Sequence, residues 1–171
     1  MEQDWSSFDE AMRSNPSKAE AHYERAVFLR SLGRYAKALE DLNETIRLNP
    51  RYPEAYHCRG AIHDHLAEYK EAVADYDQAI LLNPEFAEAY NDRGITCCHL
   101  KNFEQAIKNF DRAIRLNPNY AFYWNRGTTY RDLNQLDLAI KDFNQAIHQN
   151  PQFAPAYVDR GAVYFRMNRA G

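Results

Sequence analysis

No run of apolar residues in this sequence is long enough to cross a bilayer, and a mean hydropathy of -0.72 leaves no material for a membrane-spanning helix. Glycine and proline are sparse, six and seven among 171 residues, where all-β folds with many tight turns use more of both. Neither sign of charge dominates: 21 Lys and Arg against 24 Asp and Glu give a formal -3 and a pI near 6.1. That balance lacks the basic footprint of a nucleic-acid binder. Cysteine is limited to Cys58, Cys97 and Cys98, an odd set without paired spacing, which suits a reducing compartment. The opening Met-Glu-Gln-Asp-Trp-Ser-Ser has neither the basic nor the apolar region of a secretory signal, so a cytoplasmic location is expected. No nucleophile elbow, phosphate loop, zinc-protease helix or Gly-rich dinucleotide turn occurs, so neither catalysis nor a bound cofactor is expected. Aromatics, in contrast, are plentiful at 13%, too many for a disordered chain.

What the sequence does contain is a period. Asn-Pro occurs at Asn15-Pro16, Asn49-Pro50, Asn83-Pro84, Asn117-Pro118 and Asn150-Pro151, so successive prolines stand 34, 34, 34 and 33 residues apart. In step with it run Arg25-Ala26, Arg59-Gly60, Arg93-Gly94, Arg126-Gly127 and Arg160-Gly161. Ala38-Leu39, Ala72-Val73, Ala106-Ile107 and Ala139-Ile140 keep the same phase. Each unit reads as two helices. Ala89, Tyr90, Gly94, Cys97 and Leu100 form one helical stripe, and Phe103, Ala106, Ile107, Phe110, Ala113 and Ile114 form the next after a break at Lys101-Asn102. The residue before proline is pushed out of the α region, so Asn117-Pro118 ends the second helix. Pro53 sits where a first helical turn tolerates a missing N–H. Short breaks predict antiparallel hairpins stacked side by side.

With Tyr90, Gly94, Cys97, Ala106, Phe110, Ala113 and Pro118 in its slots, this pattern resembles the tetratricopeptide repeat (TPR). The second repeat fills the slots with Tyr56, Gly60, His63, Ala72, Tyr76, Ala79 and Pro84, and the fourth with Tyr123, Gly127, Tyr130, Ala139, Phe143, Ala146 and Pro151. The first departs most, with His22, Ala26, Leu29, Leu42 and Thr45. The resemblance implies an all-α solenoid of about ten helices in a single domain. Its parts are a half repeat at 1–16, full repeats at 17–50, 51–84, 85–118 and 119–151, and a half repeat at 152–171.

The resemblance also implies a non-enzymatic scaffold for protein–protein contact, with a peptide or partner segment lying along the concave face lined by the first helices. The alternative is the recognition arm of a larger enzyme or secretion complex. Carried over residue by residue, the groove would expose Glu20, Tyr23, Val27, Arg30, Glu54, His57, Ala61, Asp64 and His65. Glu88, Asn91, Asp92, Ile95, Cys98 and His99 would follow, then Trp124, Thr128, Arg131, Asp132, Val158, Ala162, Phe165 and Arg166. Trp124 beside a small-to-apolar floor is a candidate anchor. Glu20, Glu24, Glu54, Asp64, Glu88 and Asp92 against the single Arg30 predict a partner with a basic segment. The clamp that holds terminal carboxylates in the chaperone-binding members is not matched, since Tyr23, Val27, Cys58, Glu88 and Asp92 stand in its slots. Nor is the asparagine ladder of the sugar-transferase arms, whose row here reads Glu24, Cys58, Asp92, Asn125 and Asp159. The two half repeats, with Phe8 and Ala11 at one end and Tyr157, Gly161, Tyr164 and Met167 at the other, are complementary and suggest head-to-tail self-association.

Where the family usually carries leucine, this chain has Arg25, Arg59, Arg93, Arg126 and Arg160. The opposite level of each hairpin falls near Asp41, Asp75, Asn109 and Asp142, which predicts a ladder of partly buried pairs. His63 and His65, two apart on a helix, face different ways, and with His99 they lack a third ligand at set spacing, so no metal is expected.

Overall fold

The computed structural model describes residues 18–168. Those residues form nine helices and no strand: α1 (Ala19–Ser31), α2 (Tyr35–Leu48), α3 (Pro53–His65), α4 (Tyr69–Leu82), α5 (Ala87–His99), α6 (Phe103–Leu116), α7 (Tyr120–Asp132), α8 (Leu136–Gln149) and α9 (Ala154–Asn168). The helix expected within residues 1–16 lies outside the described residues. The chain divides into two compact units at Pro84 and Glu85, with α1–α4 in the first and α5–α9 in the second. Within each unit consecutive helices pair as hairpins, α1 with α2 and α3 with α4, then α5 with α6 and α7 with α8, while α9 packs on α8. The architecture is an all-α solenoid of helix hairpins.

The turns inside the hairpins share one backbone solution. Gly33, Ala67, Lys101 and Asn134 adopt left-handed conformations, with φ of 70°, 61°, 61° and 61°. In each, the following amide reaches back five residues: Arg34 N–H donates to Leu29 O at 2.9 Å, Glu68 to His63 O at 2.8 Å, Asn102 to Cys97 O at 2.8 Å and Gln135 to Tyr130 O at 2.8 Å. These bonds use up carbonyls that a helix end leaves unpaired. The geometry prefers glycine, yet only the first turn has one. Between hairpins the backbone of Asn49, Asn83 and Asn117 is extended ahead of each proline, as the X-Pro rule requires. The asparagine side chain also holds the turn that follows, since Asn49 Oδ1 accepts Arg51 N–H and Asn150 Oδ1 accepts Gln152 N–H, both at 3.1 Å.

Packing inside each hairpin turns on a small residue opposite a large one. Tyr76, Phe110 and Phe143 are fully buried, and their rings lie against Gly60, Gly94 and Gly127. A Cβ on Gly94 would stand 2.6 Å from Phe110 Cε1, and one on Gly127 would stand 2.8 Å from Phe143 Cε1. Repeat 1 makes the opposite choice at both places, with Ala26 and the non-aromatic Leu42, each wholly buried. The buried alanines Ala72, Ala79, Ala106, Ala113, Ala139 and Ala146 allow the same close approach elsewhere along the second helices.

Candidate partner-binding surface

The arginine row forms as a series of bidentate pairs. Arg25 donates Nε and Nη2 to Asp41 at 2.7 and 2.6 Å, Arg59 to Asp75 at 2.8 and 2.6 Å, and Arg126 to Asp142 at 2.8 and 2.7 Å. Arg93 directs the same two groups at Asn109 Oδ1, at 3.0 and 2.7 Å. The acceptors are buried, and four guanidinium groups cover a tyrosine of their own helix: Arg59 over Tyr56, Arg93 over Tyr90, Arg126 over Tyr123 and Arg160 over Tyr157. A second connection was not expected from the sequence. The remaining Nη1 reaches back to the preceding hairpin: Arg59 to Asn43 at 2.7 Å, Arg126 to Asp111 at 2.6 Å and Arg160 to Asn144 at 2.6 Å. Helices α2, α6 and α8 therefore carry a triplet of carboxylate or amide, large apolar residue, carboxylate or amide, as in Asp142-Phe143-Asn144. Its first member serves the arginine of its own repeat and its third serves the next.

Burial opposes the charge of Arg126, but its hydrogen bonds to Asp142 and Asp111 and the charges of those carboxylates outweigh it and hold the guanidinium above its ordinary range. Burial likewise pushes the Asp142 carboxyl up, with Arg126 pulling it back. All of this chemistry is spent on joining helices.

In the first unit the first-helix surface is acidic and phenolic. Glu20 and Glu54 are exposed on α1 and α3, with Glu24 exposed beside them. The Tyr23 and Tyr52 rings meet at 5.0 Å. Burial pushes the Tyr52 phenol up, and the charges of Glu54, Glu20 and Glu24 raise it further, so three carboxylates converge on this point. The Tyr23 phenol is pushed up to about 12 by burial, with Cys58, Tyr52 and Glu54 adding and Arg30 opposing. Val27 and Tyr23 pack on the core beneath. Further along α3, Ala61 and Asp64 are half-buried, His57 lies against Tyr76, and the exposed His65 meets the Tyr35 ring at 4.6 Å in a tilted contact. His63, placed in a core slot by the sequence pattern, is only half-buried; its Nδ1 stands 2.6 Å from Glu68 across the turn.

The second unit is different. Ile95, Cys98, His99, Asn125, Thr128 and Thr129 border a hollow of about 100 Å³ between α5 and α7. Burial pushes the Cys98 thiol up, although a contact with Thr129 at 3.3 Å pulls the other way. Glu88 is exposed and Asp92 is half-buried. Asn91, expected to be exposed, is buried instead, because its amide donates to Asp92 Oδ1 and accepts from Asn125 Nδ2, both at 2.9 Å. Trp124 is not a free anchor: its Nε1–H donates to Asp159 Oδ2 at 2.7 Å and its ring abuts Phe153. Arg131 Nη1 takes the other oxygen of Asp159 at 2.5 Å, so cation, indole and carboxylate close on one another. Val158 and Phe165 remain 71% and 63% exposed on α9. Met167, assigned by the sequence to the open side of α9, packs on the cluster of Ala139, Phe143 and Val163. Among the described residues no group of three or more His, Cys, Asp or Glu is placed to hold a metal ion, and no helix is long and apolar enough to cross a membrane.

Comparison with known proteins agrees with the fold. The family model described as tetratricopeptide repeat matches residues 53–86 and 87–120, and that described as TPR repeat matches 28–64 and 127–168. No curated protein sequence matches the chain. Among solved structures, YrrB, described as a TPR protein with an unusual peptide-binding site, superimposes with a TM-score of 0.77 at 23% identity, over 94% of this chain and 84% of that one. TTC0263, a thermophilic TPR protein of Thermus thermophilus, gives 0.79 at 22% identity, over 92% and 87%. MamA of Desulfovibrio magneticus RS-1 gives 0.79 at 21% identity, over 88% and 85%.

Proposed function

Because the chain belongs to the tetratricopeptide repeat family, we propose that it is a non-enzymatic scaffold that holds an extended or helical segment of a partner protein on its first-helix faces, and that the segment is basic. TPR arrays serve protein–protein contact, and the neighbour YrrB is described as having a peptide-binding site. The observation that carries the charge preference is the exposed set Glu20, Glu24 and Glu54 acting on Tyr52, whose ring meets that of Tyr23 at 5.0 Å in the first unit. Carboxylates around a pair of half-buried rings receive a lysine or arginine twice over, by charge and by the ring face. On α9 of the second unit Asp159 is already engaged by Arg131 and Trp124, so that helix offers apolar contact through Val158 and Phe165. Self-association through the chain's two ends belongs to the same reading, as a way for copies to present several such faces.

A peptide array of matched basic, neutral and acidic sequences, probed with the labelled chain, tests this reading. Basic peptides are expected to bind best, to lose affinity as salt rises, and to lose it again in the variant Glu20→Lys/Glu54→Lys. Acidic peptides that outbind basic ones would overturn it.

A further inference from the structure

The hollow between the first helices of the second unit has walls from three elements. Ile95 and Cys98 come from α5, Thr128 and Thr129 from α7, and the buried Phe110 from α6. Helices α8 and α9 follow α7, so these walls lie inside the array and not at an end of it. Size narrows what the hollow takes. Cofactors and drug-sized ligands occupy pockets of about 300–1,000 Å³, and a cavity of about 150 Å³ is what a benzene ring fills. At about 100 Å³ the hollow has room for one branched aliphatic side chain and not for a ring.

The hydroxyl and thiol groups on these walls are engaged with one another. Thr128 and Thr129 both donate to Asn125 O, at 2.8 and 2.9 Å. With its proton so used, Thr129 Oγ1 accepts the Cys98 thiol at 3.3 Å. One amide hydrogen of Asn125 goes to Asn91 Oδ1 at 2.9 Å. No hydroxyl or thiol proton of the lining is left for a ligand, so a polar side chain entering here loses water without gaining those donors. An aliphatic one is covered by Ile95 and Phe110. We propose that this hollow is the specificity pocket of the binding surface, and that it takes one valine, leucine or isoleucine side chain of the partner segment. This assignment rests on a partner segment lying on the first-helix faces, as proposed above, and adds an aliphatic residue to the basic ones that the segment carries.

A labelled lysine-rich peptide, with each position in turn varied among glycine, leucine, phenylalanine and asparagine, serves as the probe in fluorescence anisotropy with the full chain. At one position leucine is expected to bind at least tenfold more tightly than glycine, with no such gain for phenylalanine or asparagine. Thr128→Leu, whose larger side chain fills the hollow, is expected to remove that gain, an unchanged thermal melt separating a filled pocket from a damaged fold. The bound leucine peptide is also expected to slow alkylation of the half-buried Cys98 at least tenfold, read at that residue by tandem mass spectrometry. A flat scan in which basic peptides still outbind acidic ones would overturn the pocket and leave the proposed function standing. So would a leucine gain that survives Thr128→Leu, or alkylation of Cys98 unchanged by the peptide. Acidic peptides that outbind basic ones, with a leucine gain that Thr128→Leu removes, would overturn the charge preference and support the pocket. Alkylation of Cys98 that slows as the chain alone is concentrated would put a second copy in the hollow, and the partner assignment fails.

Discussion

Gly127 and Gly161 occupy the same slot one repeat apart, and their surroundings could hardly differ more. Over Gly127 the ring of Phe143 leaves no room for a methyl group, while over Gly161 there is open space. At Gly127 the slot is small because of what packs on it. In repeat 1, where the facing residue is Leu42, the slot has already relaxed to Ala26. Substitution should therefore give opposite results at the two positions.

The largest effect belongs to the ring itself. Phe143→Ala removes a wholly buried side chain and should cost about 3–5 kcal/mol, read as a lower urea midpoint. Tyr164→Ala, on the open face of α9, should change that midpoint little. Next is the ladder. Arg126→Ala strands Asp142 and should cost about 1–3 kcal/mol, and Arg126→Leu, which strands the same carboxylate, should destabilise as well, whereas replacing both partners by apolar residues should cost less. Equal melts for wild type and Arg126→Ala would show that the pair contributes nothing. The glycines come third: Gly127→Ala should destabilise by about 1–3 kcal/mol through overpacking, and Gly161→Ala should stabilise by about 0.5–1 kcal/mol by helix propensity alone. If both variants melt on the same side of wild type, the contrast drawn from the two slots is wrong. Of comparable size, Lys101→Gly should gain about 1 kcal/mol, since the left-handed turn now holds a residue with a Cβ.

The smallest effect concerns a half-covered group. With its folded pKa raised to about 12 against an unfolded value near 10, the neutral Tyr23 phenol is favoured in the folded state. Its contribution is complete below pH 10 and is lost as pH climbs toward 12. Stability should decline more gently over that window in Tyr23→Phe than in the parent. Parallel declines would remove Tyr23 as the cause.

The fold was legible because the 34-residue spacing repeats small, aromatic and proline positions in phase, and helix geometry then fixes which of them meet. The same reasoning placed Arg25, Arg59, Arg93 and Arg126 opposite Asp41, Asp75, Asn109 and Asp142, since both partners lie at one level of a hairpin. The second grip of each arginine was not legible, because it depends on how one hairpin stacks on the last, a distance that residue spacing within a repeat does not encode. Asn91 and Trp124 were misjudged for a related reason. Their frame positions face outward, but Asn125 and Asp159, each on the next first helix, reach across and claim their polar atoms. Ala67 and Lys101 gave no warning of a left-handed backbone, since neither residue type prefers it.

The double grip of Arg126 bears on how the second unit comes apart. One side chain ties α6, α7 and α8, so the hairpin of α7 and α8 has no loose joint with its predecessor at which to peel away. In a nearest-neighbour chain of repeats, such a shared residue raises the coupling between links more than the strength of either link. Loss of Asp111 alone, which leaves the α7–α8 pair with Asp142 intact, should therefore blunt the sharpness of unfolding more than it lowers the midpoint, as a zip with one tooth removed opens in two steps instead of one.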